Sequence, residues 1–172
     1  MASSACGAPS WTRKLPPLAE WLLLAVGRAG ATPEAALVAR YAARLRPALR
    51  IIEVADGRGS AAEIMRREAA TLSARIPAGA LVVALDRSGE APDSAGLARR
   101  LGQWAGSGKT LCFVLGGAEG LDPSLLEQSQ FRLSLGPMVW PHLLARAMLA
   151  EQLFRAQSIL AGHPYHRGPR ES

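Results

Sequence analysis

The stretch Leu111-Cys112-Phe113-Val114-Leu115-Gly116-Gly117-Ala118-Glu119-Gly120 decides the fold class of this 172-residue chain. Its first five residues are apolar without a break, and the glycines behind them mark an abrupt turn. A strand with one wet face alternates apolar and polar residues; a run like this one is buried on both faces. Such strands belong to parallel sheets covered by helices on both sides.

Working outward, the same signature recurs at Trp21–Val26, which ends on Gly27, and at Ala80–Leu85. Leu49–Val54, closed by the turn Asp56-Gly57-Arg58-Gly59, reads as a further strand, and Phe131–Leu135 as a weaker fifth. Helix signals alternate with them. Thr32-Pro33-Glu34 offers an N-cap, a proline at the first helical position and an acidic first turn, predicting a helix from Pro33 to about Leu45. Ser60 with Glu63 three residues on is a capping box for a helix to about Ile76. Ser94–Ala105 and Pro141–Leu160 complete the set, the latter with Glu151 and Arg155 spaced i, i+4. The predicted class is α/β, a mostly parallel sheet with helices on both faces. One domain is expected over 21–172, with a flexible extension over 1–20 and a tail over 162–172 that orders on contact.

Composition narrows the function. The 49% of hydrophobic residues suffice for a core. The longest apolar runs fall far short of the roughly 20 residues that cross a bilayer, so no membrane partner is expected. The run at Trp21–Val26 is also shorter than the ~7–15 residues of a secretory signal. Cys6 and Cys112 have no zinc-site spacing, and a buried, unbridged Cys112 fits a reducing, cytoplasmic location. No His, Cys and carboxylate cluster has ligand spacing, so no metal is expected. A net charge of +6 carried by 18 arginines against 2 lysines suits a polyanionic partner, although arginine in place of lysine, beside abundant alanine, also follows from a GC-rich genome.

In parallel α/β sheets, ligands bind outside the carboxyl ends of the strands. Three segments fall there: Leu85-Asp86-Arg87-Ser88-Gly89, Leu115 to Gly120, and Leu135-Gly136-Pro137-Met138-Val139-Trp140-Pro141-His142. Glycine after a strand lets main-chain groups approach a ligand. Two other motifs are set aside. Gly106-Ser107-Gly108-Lys109-Thr110 resembles the end of a phosphate loop, but Gln103 stands where its first glycine belongs and a strand follows instead of a helix. Gly116 to Gly120 is not a dinucleotide fingerprint, and no capped helix is expected directly behind it.

Five motifs then stand in order: Leu85-Asp86 with Gly89; Phe113-Val114-Leu115-Gly116-Gly117-Ala118-Glu119-Gly120; Pro141-His142-Leu143-Leu144-Ala145-Arg146; Glu151-Gln152-Leu153-Phe154-Arg155-Ala156; and His163-Pro164-Tyr165-His166-Arg167. Together they resemble the RlmH family of SPOUT methyltransferases, over about Leu22 to Arg167. The resemblance implies S-adenosylmethionine as cofactor and methylation of N3 of a pseudouridine in the helix 69 region of 23S rRNA. It also implies a C-terminal trefoil knot, an exception to the rule that chains do not thread loops, and a homodimer. The cofactor residues it implies are Leu85, Gly116, Gly117, Leu135, Gly136, Pro137, Met138, Val139 and Trp140. The chain departs from the family pattern where Ala118 replaces a frequent proline, where Gly136-Pro137 stiffens the loop and where Trp140 replaces a smaller Leu or Phe.

The resemblance makes His166, Tyr165 and Arg167 the catalytic candidates, supplying a proton acceptor, a stacking face and positive charge. The competing reading is a basic terminus without a role. Arg58 is expected to face RNA, Arg146 and Arg155 to pair with Glu151, and His142 to serve either structure or substrate. A side chain at position 117 is expected to project into the cofactor pocket and leave the fold intact. A SPOUT enzyme acting on another RNA such as tRNA, or a non-catalytic RNA-binding domain, remain the alternatives.

Overall fold

A computed structural model describes residues 20–163. The elements run β1 (Trp21–Val26), α1 (Pro33–Ala42), β2 (Leu49–Val54), α2 (Ala61–Ser73), β3 (Leu81–Glu90), α3 (Ser94–Gly106), β4 (Leu111–Leu115), α4 (Pro123–Gln128), β5 (Phe131–Leu133) and α5 (His142–Leu160). The strands pair in the order β2-β1-β4-β3-β5, all parallel. Hydrophobicity explains the order. The uninterrupted runs β1 and β4 are buried along their whole length and sit inside, while β2, with Arg50 and Glu53 open to solvent, and the three-residue β5 form the edges.

Successive side chains of a strand point to opposite faces, and the core splits accordingly. Trp21, Leu23, Ala25, Phe113 and Leu115 pack on one face with α3 and α5. Leu22, Leu24, Val26, Cys112 and Val114 pack on the other with Ala69 and Leu72 of α2 and Leu125 of α4. Each such fully buried Leu, Val or Phe contributes about 1.5–3 kcal/mol relative to exposure, so the two-sided apolar runs favour this layering over any one-faced sheet.

Several bounds move. α1 stops at Ala42 and α2 at Ser73, each followed by a tighter turn, in which Leu45 N divides its hydrogen bond between Tyr41 O and Ala42 O, both at 3.3 Å. β3 runs past the predicted Leu85 to Glu90, because the backbone re-enters register after an irregularity: Leu85 and Glu90 both pair with Leu133. The expectation that no capped helix follows the glycine turn is overturned. Asp122 caps α4 through Ser124 N at 2.9 Å, with Pro123 at the first helical position.

α5 has no exposed residue, being packed between α1 and α3. Its two ends and Gln152 are half-open, as is a strip through Leu144, Met148, Glu151, Arg155 and Ile159. Arg146 does not pair with Glu151 as expected. It is buried and reaches across to the ends of β1 and β2, donating to Val26 O at 2.6 Å, Gly27 O at 2.8 Å and Glu53 Oε1 at 2.8 Å. Arg155 takes Glu151, at 2.7 Å.

Candidate functional site

Three strands reach the carboxyl edge of the sheet side by side, and their last core residues are in register: Leu85 of β3 stands opposite Leu115 of β4 and Leu133 of β5. These leucines, with Ala145 of α5, floor a cavity of about 480 Å³ at the carboxyl edge of the sheet. That volume lies within the roughly 300–1,000 Å³ of small-molecule sites. Its walls are the turn 117–120 and the loop from Leu135 to Trp140.

The first wall is set by close main-chain packing. Gly120 N donates to Gly117 O at 3.1 Å, folding the turn back on itself. A Cβ on Gly116 would stand 2.5 Å from Gly120 O, so only glycine fits. Gly116 is therefore buried behind the turn and does not line the cavity. Gly117 does line it, yet a Cβ there would point the other way, to 3.1 Å from both Val26 Cγ1 and Glu68 Oε2. The expectation that a side chain at 117 would fill the pocket and spare the fold is thus overturned, because it would enter the core behind α2.

The second wall is held by side chains. Ser134 Oγ accepts from Gly136 N and donates to Gly136 O, both at 3.1 Å, and Trp140 Nε1 donates to Leu135 O at 3.3 Å. The indole therefore ties the loop across its base. Leu135, Gly136, Met138, Val139 and Trp140 line the cavity, while Pro137 does not. Met138 and Val139 are 61% and 78% exposed, which is unusual for apolar side chains beside a cavity.

Polar groups are few. Asp86 and Glu119 bring carboxylates to the lining and Arg87 a guanidinium. Asp86 spends one oxygen on its own turn, accepting from Ser88 N at 2.8 Å and from Ser88 Oγ. His142 is outside the lining, with Nε2 only 3.1 Å from where a Gly27 Cβ would stand, next to Asp56 and Arg146. Tyr165, His166 and Arg167 lie outside the described residues, as does Cys6. Cys112 is a buried free thiol on the opposite face, its pKa pushed up to about 12 by burial and then by Glu20, so it takes no part in the site.

The family described as "Predicted SPOUT methyltransferase" matches residues 20–166. The chain belongs to the SPOUT methyltransferase family. Within it, "Ribosomal RNA large subunit methyltransferase H" of Acidiphilium cryptum (strain JF-5) is 54% identical, covering 90% of this chain and 98% of that protein. The protein of the same name from Gluconacetobacter diazotrophicus is 53% identical over 86% and 97%. Among solved structures, "a probable methylase family protein from Haemophilus influenzae Rd KW20" shares the fold, with a TM-score of 0.51 and 12% identity over 87% of this chain and 71% of that one.

The SPOUT membership agrees with the five motifs, of which the fold brings residues of three to the cavity, while Glu151 to Ala156 lie farther along α5. Three features escaped the sequence reading. Exposed Arg28 and Arg87, near the carboxyl ends of β1 and β3, join Arg58, beyond β2, on the same edge of the sheet. Glu68 is buried behind Gly117. Arg28 carried a signal, its position two residues after a buried strand, and Arg87 stood in a segment already placed at the ligand edge, whereas Glu68 had none.

Proposed function

We propose that this SPOUT protein uses S-adenosylmethionine to methylate N3 of a pseudouridine in the helix 69 region of 23S ribosomal RNA, on the large subunit or the assembled ribosome. The observation that carries this reading is the cavity itself, floored by Leu85, Leu115 and Leu133 and walled by exposed main chain at the carboxyl edge. Such a lining suits an adenosine, whose flat base takes apolar walls and whose edge is read by main-chain donors and acceptors. The cofactor supplies a methyl group already activated on a sulfonium. Asp86 and Glu119 place negative charge at the lining, which suits that cation.

The remaining work belongs to the chain: aligning the RNA base with the pocket mouth and taking up the ring proton. Arg28, Arg58 and Arg87 form a rim for phosphate, positioning RNA without reading its sequence. His166, Tyr165 and Arg167 are assigned to the base, as acceptor, stacking face and positive field. Gly162 N and His163 N donate to Ile159 O and Ser158 O and close the end of α5. Truncation is therefore best made after His163. It should lower methyl transfer by at least ~100-fold, as loss of a positioned acid–base group does, with cofactor affinity unchanged within a few-fold. Full single-turnover activity in the truncated protein would remove these residues from the mechanism.

The working unit proposed is a homodimer with a C-terminal trefoil knot, the half-open strip of α5 meeting its symmetry mate. A monomer by light scattering at micromolar concentration would contradict it. The substrate is tested by incubating the protein and labelled cofactor with unmodified ribosomes or with transfer RNA, then mapping the product by mass. Label at a single pseudouridine of large-subunit RNA is expected. Label on transfer RNA alone would move the protein to another SPOUT substrate, and cofactor binding without transfer to either would favour a binding role.

A further inference from the structure

Glu68 of α2 is 4% exposed, set among Val26, Ala69 and Leu72. Its Oε1 accepts the Gly57 N–H at 2.9 Å. Its Oε2 is buried and has no hydrogen-bond partner among the described residues. A buried carboxylate oxygen without a donor is costly, and native structures that keep one call for a reason.

The surroundings supply one. Both oxygens face Gly117, standing 3.1 and 3.2 Å from where a Cβ there would be. Gly117 thus has the cavity on one side and the carboxylate on the other. The absence of a side chain is what lets a main-chain segment come this close to the carboxylate. The same carboxylate holds the turn that carries Arg58, whose carbonyl accepts from Arg67 Nη1 at 3.0 Å, so α2 ties that turn from behind and leaves Oε2 facing the other.

We propose that Glu68 is a positioning residue for the methyl donor: its Oε2 takes a hydrogen bond from the Gly117 or Ala118 N–H when the cavity is filled, latching the glycine turn in its binding shape. This rests on the reading of the cavity as the methyl-donor site. A carboxylate is the side chain the task requires, since it offers acceptors to Gly57 and to the turn at once. A glutamine offers a single acceptor oxygen and serves one of the two.

The test is calorimetry with S-adenosylmethionine, and amide hydrogen exchange with and without it, on the whole chain and on Glu68→Gln and Glu68→Ala. In the unaltered chain the donor should slow exchange of the 117–118 amides about tenfold or more. Glu68→Gln should bind about tenfold more weakly, the range for a hydrogen bond to a charged group, and lose that slowing while its melting temperature stays near that of the unaltered chain. Glu68→Ala should lose the same affinity and melt lower as well, because Gly57 N–H is then orphaned. A purely structural Glu68 would change melting and leave affinity alone. Unchanged affinity in folded Glu68→Gln overturns the latch. So does slowing at 135–140 without slowing at 117–118 in the unaltered chain, an outcome that needs no variant to fold. Failure of the unaltered chain to bind the donor overturns the cavity assignment, and the latch with it.

Discussion

The two walls of the cavity are built on opposite physical terms. In the turn 116–120 the main chain packs against itself and against Glu68, so close that Gly116 has no room for a Cβ and one on Gly117 would press on side chains at 3.1 Å. In the loop 134–140 the one glycine, Gly136, has a φ of +105° and nothing within 4 Å of a Cβ, while Met138 and Val139 stand in solvent. One wall is a template shaped by sterics. The other is anchored only at its base, by Ser134 and Trp140, and presents apolar side chains to whatever arrives. A rigid wall fixes what the cavity recognises, whereas an exposed apolar one gains from being covered.

The sharpest way to break this comparison is to place one methyl group in each wall. Gly116→Ala meets Gly120 O at 2.5 Å, a backbone atom that cannot rotate away. The expected cost is about 3 kcal/mol, the upper end for overpacking, along with loss of measurable donor binding. Gly136→Ala meets open space and suffers only from its positive φ, about 1–2 kcal/mol. Chemical denaturation of both variants decides it, and equal costs would show that the walls are not built differently.

Met138→Ser with Val139→Ser should change stability by no more than about 0.5 kcal/mol, as for exposed sites, because neither residue is packed. Methyl transfer to ribosomes should nonetheless fall about tenfold in kcat/KM, the equivalent of about 1.4 kcal/mol of lost contact. An unaltered kcat/KM would mean that this surface stays in solvent throughout the reaction.

A third loop at the same edge, 56–60, is closed at Ser60 by a titratable group. Glu63 Oε2 accepts from Ser60 N at 2.9 Å and Ser60 Oγ at 2.8 Å. The main-chain bond first, then the hydroxyl, lowers its pKa below 4.5. A depressed carboxylate contributes stability above its unfolded value that is lost as pH falls through the folded one. The Ser60 amide should therefore open in the unaltered chain as pH falls below the ordinary glutamate range, earlier than the Gly120 amide, which is held by a main-chain carbonyl. Glu63→Gln should flatten that dependence, as followed by amide exchange.

How much of this was legible in the chain follows from range. The parallel α/β class, all five strands and four of the five helices could be read because each depends on neighbours a few residues apart: the two-sided runs at 21–26 and 111–115, the Thr32 and Ser60 caps, the i, i+4 pair of Glu151 and Arg155. The short α4 was missed although Asp122-Pro123 announced it, since its six residues carry too little periodicity. The cavity loops were legible as glycines after strands. What those glycines accommodate was not: Gly116 answers to the carbonyl four residues on, and Gly117 to a carboxylate on a helix 49 positions earlier. Arg146 likewise read as a helix-surface charge, and only packing shows it buried against strand ends 120 residues away. Local propensity and hydrophobic pattern are carried by the sequence alone, so it determined the layers; sterics and buried hydrogen bonds between distant segments exist only once those layers close, so the tertiary structure decided the site.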